Sequence, residues 1–309
     1  MIKEIVKKEF TITSDFGLRI DKFLTIFFKN YSRSYFQYLL KEQAVFINKK
    51  VAKKNQILKE NDFLEISFLP LEEMSVEAED IFLDILFEDE NLLVINKPAN
   101  MVVHPAPGNP NNTIANALLH HCKKLIDFEN SLRPGIVHRL DKNTTGVLIT
   151  AKNIKTHQKL IEMFSSKKIK KDYLAITLNK PNEEKISAPI GRHPKKRKEM
   201  AVFVKNAKDA ETTFKVLAYN DKYSLLLVSP ITGRTHQIRV HLKHLNCPII
   251  GDEVYGNLSI NKKFKIYRQL LHAYRIEFTH PITKENMKII APLPEDFKKF
   301  LKSFNFSNF

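Results

Sequence analysis

The chain has little cysteine and little glycine, and each shortage excludes a class of protein. Its 309 residues include two cysteines, Cys122 and Cys247, and eight glycines. Two cysteines cannot build the disulfide framework of a small secreted protein, so we expect a reducing, cytoplasmic compartment. The glycines form neither the GxGxxG nor the GxxxxGK[ST] pattern, and no CxxC pair occurs, which excludes the usual phosphate loops and thiol metal motifs.

Long apolar runs are also missing. The strongest run, 224–228 with its flanks, is far too short to cross a bilayer. Residues 1–10, MIKEIVKKEF, lack the apolar core of a secretory signal. We therefore expect neither a secretory leader nor a membrane partner.

Acidic residues are in the minority. The chain has 50 Lys and Arg against 34 Asp and Glu, a formal net charge of +16. Such a surplus favours a polyanionic partner, either nucleic acid or an acidic membrane surface. Because nothing else in the sequence indicates a membrane, nucleic acid is the better interpretation. The 43% hydrophobic and 27% charged residues are typical of a folded protein.

Charge and periodicity divide the chain into three parts. Residues 18–68 carry ten basic and five acidic residues and form a small unit. Residues 69–80 hold five acidic residues and no basic one, which predicts a linker that avoids a polyanion. Residues 81–309 form a larger domain in which strand-like runs outnumber helical ones, so we predict an α+β fold rather than a strictly alternating βαβ one.

The apolar spacing predicts the main elements of both units. In the small unit we predict a helix from residue 18, strands within 45–51 and 64–68, and a second helix with Tyr35, Tyr38, Leu39 and Leu40 on its apolar face. In the larger domain we predict strands at 92–96, 146–150, 173–177 and 223–228, and helices at 113–122 and 154–164.

The densest polar cluster between apolar flanks lies at 134–148. Asp141 lies there between two strand-like runs, with Arg139 and Lys142 beside it. Nearby cations favour the carboxylate, so Asp141 is available as a nucleophile or a base. A turn-forming Asp with solvated neighbours explains the same pattern.

Two histidine groups raise the question of a metal. His120, His121 and Cys122 are adjacent on a predicted helix and point in different directions, so we expect no metal there. His236, His241 and His244 lie in a basic segment whose cations repel another cation. We favour a phosphate-contacting segment over a metal-dependent hydrolase.

Several motifs together resemble the RluA-type pseudouridine synthases, and the first unit resembles an S4 RNA-binding domain. The motifs follow the family's order: 89–98, the HRLDxxTxG signature at 138–146, 171–175, 232–241, Gly251-Asp252, Tyr255-Gly256, 271–273 and His280-Pro281. In the first unit Arg19, Asp21, Lys22 and residues 32–34 match the S4 pattern. The resemblance covers residues 18–297. Within the family, 102–105, 108–110 and 192–194 are similar to the D-type members, which modify 23S ribosomal RNA.

The resemblance implies a two-domain α+β protein with a mainly antiparallel catalytic sheet, and it implies catalytic roles. Asp141 would be the nucleophile, by attack on ribose C1′, by a glycal route or by addition to uracil C6. Arg239 would pair with Asp141, although a phosphate contact is an alternative. Tyr173 would lie under the uracil and assist removal of the C5 proton, although a core tyrosine is an alternative.

The resemblance also implies contacts to the RNA. Arg139 would fill the stack vacated by a flipped uridine, and Leu271 and His138 would line the substrate pocket. The expected RNA-binding residues of the first unit are Arg19, Lys22, Arg33, Lys49 and Lys50. We expect no cofactor and no metal, a monomer, and 23S rRNA or a large-subunit assembly intermediate as partner. A non-catalytic ribosome-assembly factor of the same fold is the alternative function.

Overall fold

The chain forms two compact units, Met1–Met74 and Ser75–Phe309. The structure, a computed structural model, describes residues 5–28, 31, 33–68, 76–106, 108–122, 125, 133–196, 198–304 and 306. Residues 69–75 of the predicted acidic linker, and Ser32 of the S4 pattern, lie outside these described residues.

The first unit packs two helices against an antiparallel sheet of strand order β1-β4-β2-β3. Its elements are β1 (Val6–Thr11), α1 (Ile20–Phe27), α2 (Arg33–Lys41), β2 (Val45–Ile47), β3 (Lys50–Val51) and β4 (Phe63–Phe68). β1 pairs with β4 along its whole length, from Val6 with Phe68 to Thr11 with Phe63. β1 was not predicted, because three consecutive charged residues obscure its apolar alternation.

One prediction for α2 is wrong. Tyr38, predicted on the apolar face, is 56% exposed, whereas Phe36 is 1% exposed and packs in the core with Leu39 and Leu40. At about 100° per residue, position 36 shares a face with 39 and 40, while position 38 lies on the opposite side. The helix therefore buries Phe36 and presents Tyr38 to solvent.

The second unit is built on one large mixed sheet. Its strands are β5 (Ile85–Glu88), β6 (Leu92–Lys97), β7 (Thr145–Ala151), β8 (Lys170–Leu178), β9 (Lys185–Ser187), β10 (Ile190–Arg192), β11 (Met200–Val202), β12 (Glu211–Tyr219), β13 (Tyr223–Pro230), β14 (Leu271–Thr279) and β15 (Asn286–Ile290). Its helices are α3 (Ile114–His121), α4 (Ile154–Ser165), α5 (Gln237–His244), α6 (Leu258–Phe264) and α7 (Glu295–Ser303). The predicted helices at 113–122 and 154–164 correspond to α3 and α4, and the four predicted strands to β6, β7, β8 and β13.

The sheet confirms the α+β class. Within the described residues its order is β5-β6-β7-β14-β8-β13-β12-β9, with β15 paired to β14 and with β10 and β11 forming a separate hairpin. β7 and β14 run parallel, and the other pairings of this sheet are antiparallel. Among the described residues, no helix has both the length and the apolarity needed to cross a bilayer.

The parallel contact between β7 and β14 requires a glycine. Gly146 has φ +108°, and a Cβ at this position would lie 2.2 Å from the carbonyl oxygen of Ala273. Because the two strands start side by side, the loop before β7 lies next to the first residue of β14. β8 pairs with β14 through Tyr173 and Ala273, so Tyr173 lies close to the same place.

The last part of the predicted linker packs against the second unit. Val76 is buried beside Leu93 and Ile95. Asn116 on α3 donates from its side-chain amide to the backbone carbonyl of Glu77. Its backbone carbonyl accepts the N–H of Glu79. Residues 76–80 form no helix or strand, but they are held by these contacts.

Candidate functional site

The candidate site is a cavity of about 480 Å³ beside β7, β14 and β8, three neighbouring strands in the middle of the sheet. Its wall is formed by the loop before β7, the start of β8, the segment between β13 and α5, and α5 itself. All six predicted catalytic and substrate-binding residues line it: His138, Arg139, Asp141, Tyr173, Arg239 and Leu271. Residues separated by up to 133 positions in the sequence thus share one cavity.

A carboxylate–guanidinium–carboxylate arrangement lies at the centre of this cavity. Arg239 on α5 donates from Nη1 to Oδ2 of Asp141 over 2.9 Å. Its other edge donates to Asp252, from Nε to Oδ2 over 2.6 Å and from Nη2 to Oδ1 over 2.9 Å. Asp141 is 20% exposed, while Arg239 and Asp252 are 6% and 0% exposed. Only the Asp141 end of this arrangement is open to a substrate.

The buried Asp252 is fixed by the backbone after it. Its Oδ1 also accepts the N–H groups of Val254 and Tyr255, each over 2.9 Å. The guanidinium of Arg239 lies 5.0 Å from the centre of the Tyr255 ring, a cation–π distance. Burial alone would lower the pKa of Arg239, but the hydrogen bonds and charges of Asp252 and Asp141 outweigh it and raise that pKa. Arg239 therefore remains charged and is held in one orientation.

A buried lysine supports the loop that carries Asp141. Lys97, at the end of β6, is fully buried, and its Nζ donates to the carbonyls of Pro98 (2.7 Å), Met101 (2.9 Å) and Lys142 (3.0 Å). Three acceptors satisfy all three donors of an ammonium. Burial lowers the pKa of Lys97 to about 7, although the charge of Asp141 opposes this shift. Lys97 thus ties the residue after Asp141 to the end of β6.

Tyr173 and Leu271 form the apolar part of the wall near Asp141. Leu271 is 3% exposed and also packs in the core. Burial, and then the charge of Asp141, raise the pKa of Tyr173. Within the described residues the Tyr173 hydroxyl has no hydrogen-bond partner, so it is free to interact with a ligand.

His236 faces Asp141 from the start of α5. It adopts the left-handed conformation, with φ +56°, and its Nε2 lies 4.0 Å from Oδ1 of Asp141. Its Nδ1 lies 2.8 Å from the hydroxyl of Tyr255, which accepts the N–H of Met200. The Tyr255 hydroxyl can therefore donate its proton to Nδ1 of His236. We infer the His236 tautomer in which Nε2 carries the proton and faces Asp141. Burial lowers the pKa of His236, although the charge of Asp141 opposes this shift.

Arg139 and His138 differ in how free their side chains are. Arg139 is exposed, and it donates from Nη2 to the Thr235 hydroxyl over 3.1 Å. His138 accepts the N–H of Ile149 on Nε2 over 3.0 Å and stacks on Phe164 at 4.7 Å. Burial, with a smaller effect from a nearby lysine, lowers the pKa of His138 to about 3. The His138 ring is neutral and holds the loop against β7.

In the first unit, Asp21 organises two of the predicted RNA-binding residues. Arg19 donates from Nε to Oδ1 of Asp21 (3.0 Å), and Arg33 and Gln37 donate to its Oδ2 (2.8 and 2.9 Å). Burial alone would raise the pKa of Asp21, but these hydrogen bonds outweigh it and lower the pKa to about 2. Lys22, Lys49 and Lys50 are exposed, with Lys49 on the turn between β2 and β3 and Lys50 at the start of β3.

The two histidine groups considered as metal sites differ in how the structure places them. His241 is fully buried and uses both ring nitrogens, with the Thr212 hydroxyl at 2.9 Å and the Ala188 carbonyl at 3.0 Å. Among the described residues, one other group has ligand-type atoms within 4.8 Å of one another: Glu88, His121 and Cys122. The sequence analysis expected His121 and Cys122 to point in different directions, so it missed this group and its third member, Glu88, which comes from β5. Lys152 donates to the same Glu88 carboxylate over 2.7 Å, so a cation already neutralises it.

Sequence reasoning also missed the supporting residues Lys97, His236 and Asp252. Lys97 and Asp252 lie within the family motifs, but nothing in those motifs gave them a role. The sequence placed His236 in a segment expected to contact phosphate. The sequence did contain a signal for Asp252, which is the acidic residue of the otherwise apolar stretch 247–252. A carboxylate buried in such a stretch requires a partner, and this requirement predicts a cation nearby.

Comparison with known proteins identifies relatives over most of the chain. A family model described as RNA pseudouridylate synthase matches residues 91–244, and an S4 domain model matches residues 18–64. The uncharacterized RNA pseudouridine synthase YlyB of Bacillus subtilis is 39% identical over 287 residues, covering 92% of this chain and 93% of that protein. Ribosomal large subunit pseudouridine synthase D of Escherichia coli K12 is 37% identical over 300 residues, covering 93% of this chain and 90% of that protein.

The fold has a solved counterpart. Human RNA pseudouridylate synthase domain containing 4 superimposes with a TM-score of 0.57 at 28% identity. The match covers 72% of this chain and 92% of that one.

Proposed function

This chain belongs to the RNA pseudouridine synthase family, and from that premise we propose that it converts specific uridines of 23S ribosomal RNA to pseudouridine, with Asp141 as nucleophile. The net charge of +16 supports a polyanionic substrate. The similarity to a large-subunit synthase over nine-tenths of the chain supports the 23S target. We further propose that it acts as a monomer in the cytoplasm.

The reaction is an isomerisation that needs no outside group. The N1–C1′ bond breaks, the uracil turns, C5 bonds to C1′, and the proton on C5 leaves for N1. Asp141 is the carboxylate that reaches the ribose or the ring, whether at C1′, through a glycal, or at C6. A uridine in folded RNA must first be flipped out of its stack, at a cost of a few kcal/mol. Arg139, an exposed planar cation at the mouth of the cavity, would occupy the vacated position.

One observation carries the assignment of Asp141. Its carboxylate is the open end of a chain whose other members, Arg239 and Asp252, are buried. Two hydrogen bonds fix Arg239 on the Asp252 side, so its third nitrogen aims one oxygen of Asp141 and leaves the other toward the cavity. A turn-forming, solvated Asp needs no such support.

The remaining residues complete the proposed site. Tyr173 and Leu271 enclose the uracil, and the Tyr173 hydroxyl assists transfer of the C5 proton. His138 shapes the wall through its bond to Ile149. Arg19, Lys22, Arg33, Lys49 and Lys50 of the first unit contact phosphates of the RNA.

The decisive experiment maps pseudouridine in the 23S rRNA of cells that lack this gene. We expect specific sites to disappear and to return when the wild-type gene is supplied. Supplying Asp141→Asn should restore none of them, although the variant folds and binds RNA, because the amide lacks the nucleophilic oxygen pair. Restoration by Asp141→Asn would remove Asp141 from the catalytic role. An unchanged 23S map would overturn the 23S assignment, and no lost site in any RNA would favour the non-catalytic RNA-binding alternative.

A further inference from the structure

Lys171 is a cation in the cavity wall that has no anionic partner among the described residues. On β8 it lies two residues from Tyr173, so both side chains project from the same face of the strand into the cavity. Its Nζ lies 5.7 Å from the centre of the Phe164 ring, and within the described residues it has no hydrogen-bond acceptor or carboxylate partner. Burial lowers the pKa of Lys171, and no anion counteracts this.

The acid next to Lys171 is committed elsewhere. Asp172 points to the opposite face of β8, where it accepts from the Arg275 guanidinium at 2.9 Å and from the Ser229 hydroxyl at 2.5 Å. Lys171 is half-buried, and it lines the cavity. Its ammonium is therefore placed to donate to an oxygen of a ligand bound there.

The walls around Lys171 indicate what carries that oxygen. The cavity has apolar lining residues, Val137, Ile161, Phe164 and Pro230, beside its polar ones, and the Phe164 ring faces the Lys171 ammonium. A phosphate favours a wet, polar surface, whereas a flat ring with an oxygen on its edge fits apolar walls and one donor. Asp141 and Lys171 line the same cavity. We take a base bound with its glycosidic edge at Asp141 to present its far edge to Lys171.

We propose that Lys171 is the specificity-determining residue for uracil, donating a hydrogen bond to the carbonyl opposite the ring atom that bonds C1′. This inference rests on the proposed active site at Asp141. Before the ring turns, N1 faces C1′ and the opposite carbonyl is C4–O4. Rotation about the C6–N3 axis exchanges N1 with C5 and C4 with C2, so C2–O2 then occupies the same position. One donor therefore serves substrate and product, and it rejects cytosine, which presents an amino group at position 4.

The test combines a change in the protein with a change of one atom in the RNA. The substrate is an RNA stem–loop in which the wild-type enzyme has been shown to form pseudouridine, prepared with uridine or 4-thiouridine at the target. Sulfur is a weak acceptor, so we expect the wild-type single-turnover rate to fall about 10- to 100-fold with the thio RNA. The single-turnover rate of Lys171→Met should be lower than that of the wild type by a similar factor with the uridine RNA. It should fall little further with the 4-thiouridine RNA. Losses that multiply would overturn the proposal, because Lys171 and position 4 would then act independently.

Two further measurements separate the alternatives. If Lys171 met a phosphate, Lys171→Met would lower the slope of log affinity against log salt by about 0.7–0.9, and it would weaken uridine and cytidine RNAs equally. We expect instead that Lys171→Met leaves the slope of log affinity against log salt unchanged. It should also reduce the difference in affinity between the uridine and cytidine RNAs. Lys170→Met, which removes an exposed lysine from the same strand, is the matched control and should change neither quantity.

The design remains decisive if one variant misfolds. Lys171→Gln keeps an N–H donor that is one bond shorter than that of lysine, and recovery by Gln of part of the rate that Lys171→Met loses would support a donor role. Because the stem–loop is chosen by wild-type activity, an error in the 23S assignment leaves this test intact.

Discussion

Arg239 reaches Asp141 through a single nitrogen, because Asp252 holds the other two nitrogens of its guanidinium. Removing the buried Asp252 charge leaves Arg239 charged, buried and free to rotate. The orientation of Asp141 would be lost with it.

Asp252→Asn should lower the single-turnover rate about 100-fold while RNA affinity changes less than threefold, since misplacement of one reacting group costs about that much. If Asp252 acts through Arg239, adding Asp252→Asn to Arg239→Lys should reduce the rate little further. A purely structural role would make the two losses multiply. Glu88→Gln, which breaks an ion pair outside the cavity, is the control and should leave the rate unchanged.

Gly146→Ala should lower the free energy of unfolding by about 2–4 kcal/mol, because its Cβ would overlap the carbonyl of Ala273 and its φ is positive. Gly233→Ala is a matched control, since it has no atom within 4 Å of the added Cβ and no positive φ. Urea unfolding of both variants provides the comparison. Equal stability of the two variants would show that β7 and β14 can separate at no cost.

The sequence predicted the site residues that lie in ordered motifs better than it predicted the buried residues that hold them in position. Asp141 and Tyr173 lie in segments whose residue order is itself informative, and the helical or strand period places each on its element. Asp252 and Lys97 act through contacts that join distant segments, and no local period reports such contacts. The Tyr38 error has a different cause, because the helical period itself places Phe36, and not Tyr38, on the face of Leu39 and Leu40.

Buried His272 should make stability depend on pH. Burial lowers its pKa to about 4, whereas an unfolded histidine has a pKa of about 6.5. Below pH 6.5 the unfolded chain therefore binds a proton that the folded chain does not. The free energy of unfolding should fall by about 1.4 kcal/mol per pH unit from this residue until pH 4. His272→Gln should flatten the curve in that window, and the exposed His120→Gln should not. Parallel curves for wild type and His272→Gln would refute the assignment.

The lysines of the first unit should control the salt dependence of RNA binding. Lys22, Lys49 and Lys50 are exposed, so replacing all three with Gln removes charge without disturbing the core. For each phosphate that is no longer neutralised, the slope of log affinity against log salt should decrease by about 0.7–0.9. The rate at saturating RNA should stay near wild type. Lys299→Gln with Lys302→Gln, exposed on α7, serves as control. A slope unchanged by the triple replacement would show that this surface does not touch the RNA.

Tyr173→Phe separates a packing role from a chemical one. Phe keeps the ring against the uracil, so a packing role predicts almost no effect. We expect a loss of about 10² to 10⁴ in the single-turnover rate, because a positioned proton-transfer group typically contributes that much. Burial and the Asp141 charge raise the pKa of Tyr173, so the hydroxyl acts as a neutral group. The wild-type rate should therefore not rise tenfold per unit between pH 7 and 9, as a phenolate base would require. Release of tritium from RNA labelled at uridine C5 measures the step, and a Phe variant within about tenfold of wild type would leave Tyr173 as a wall of the pocket.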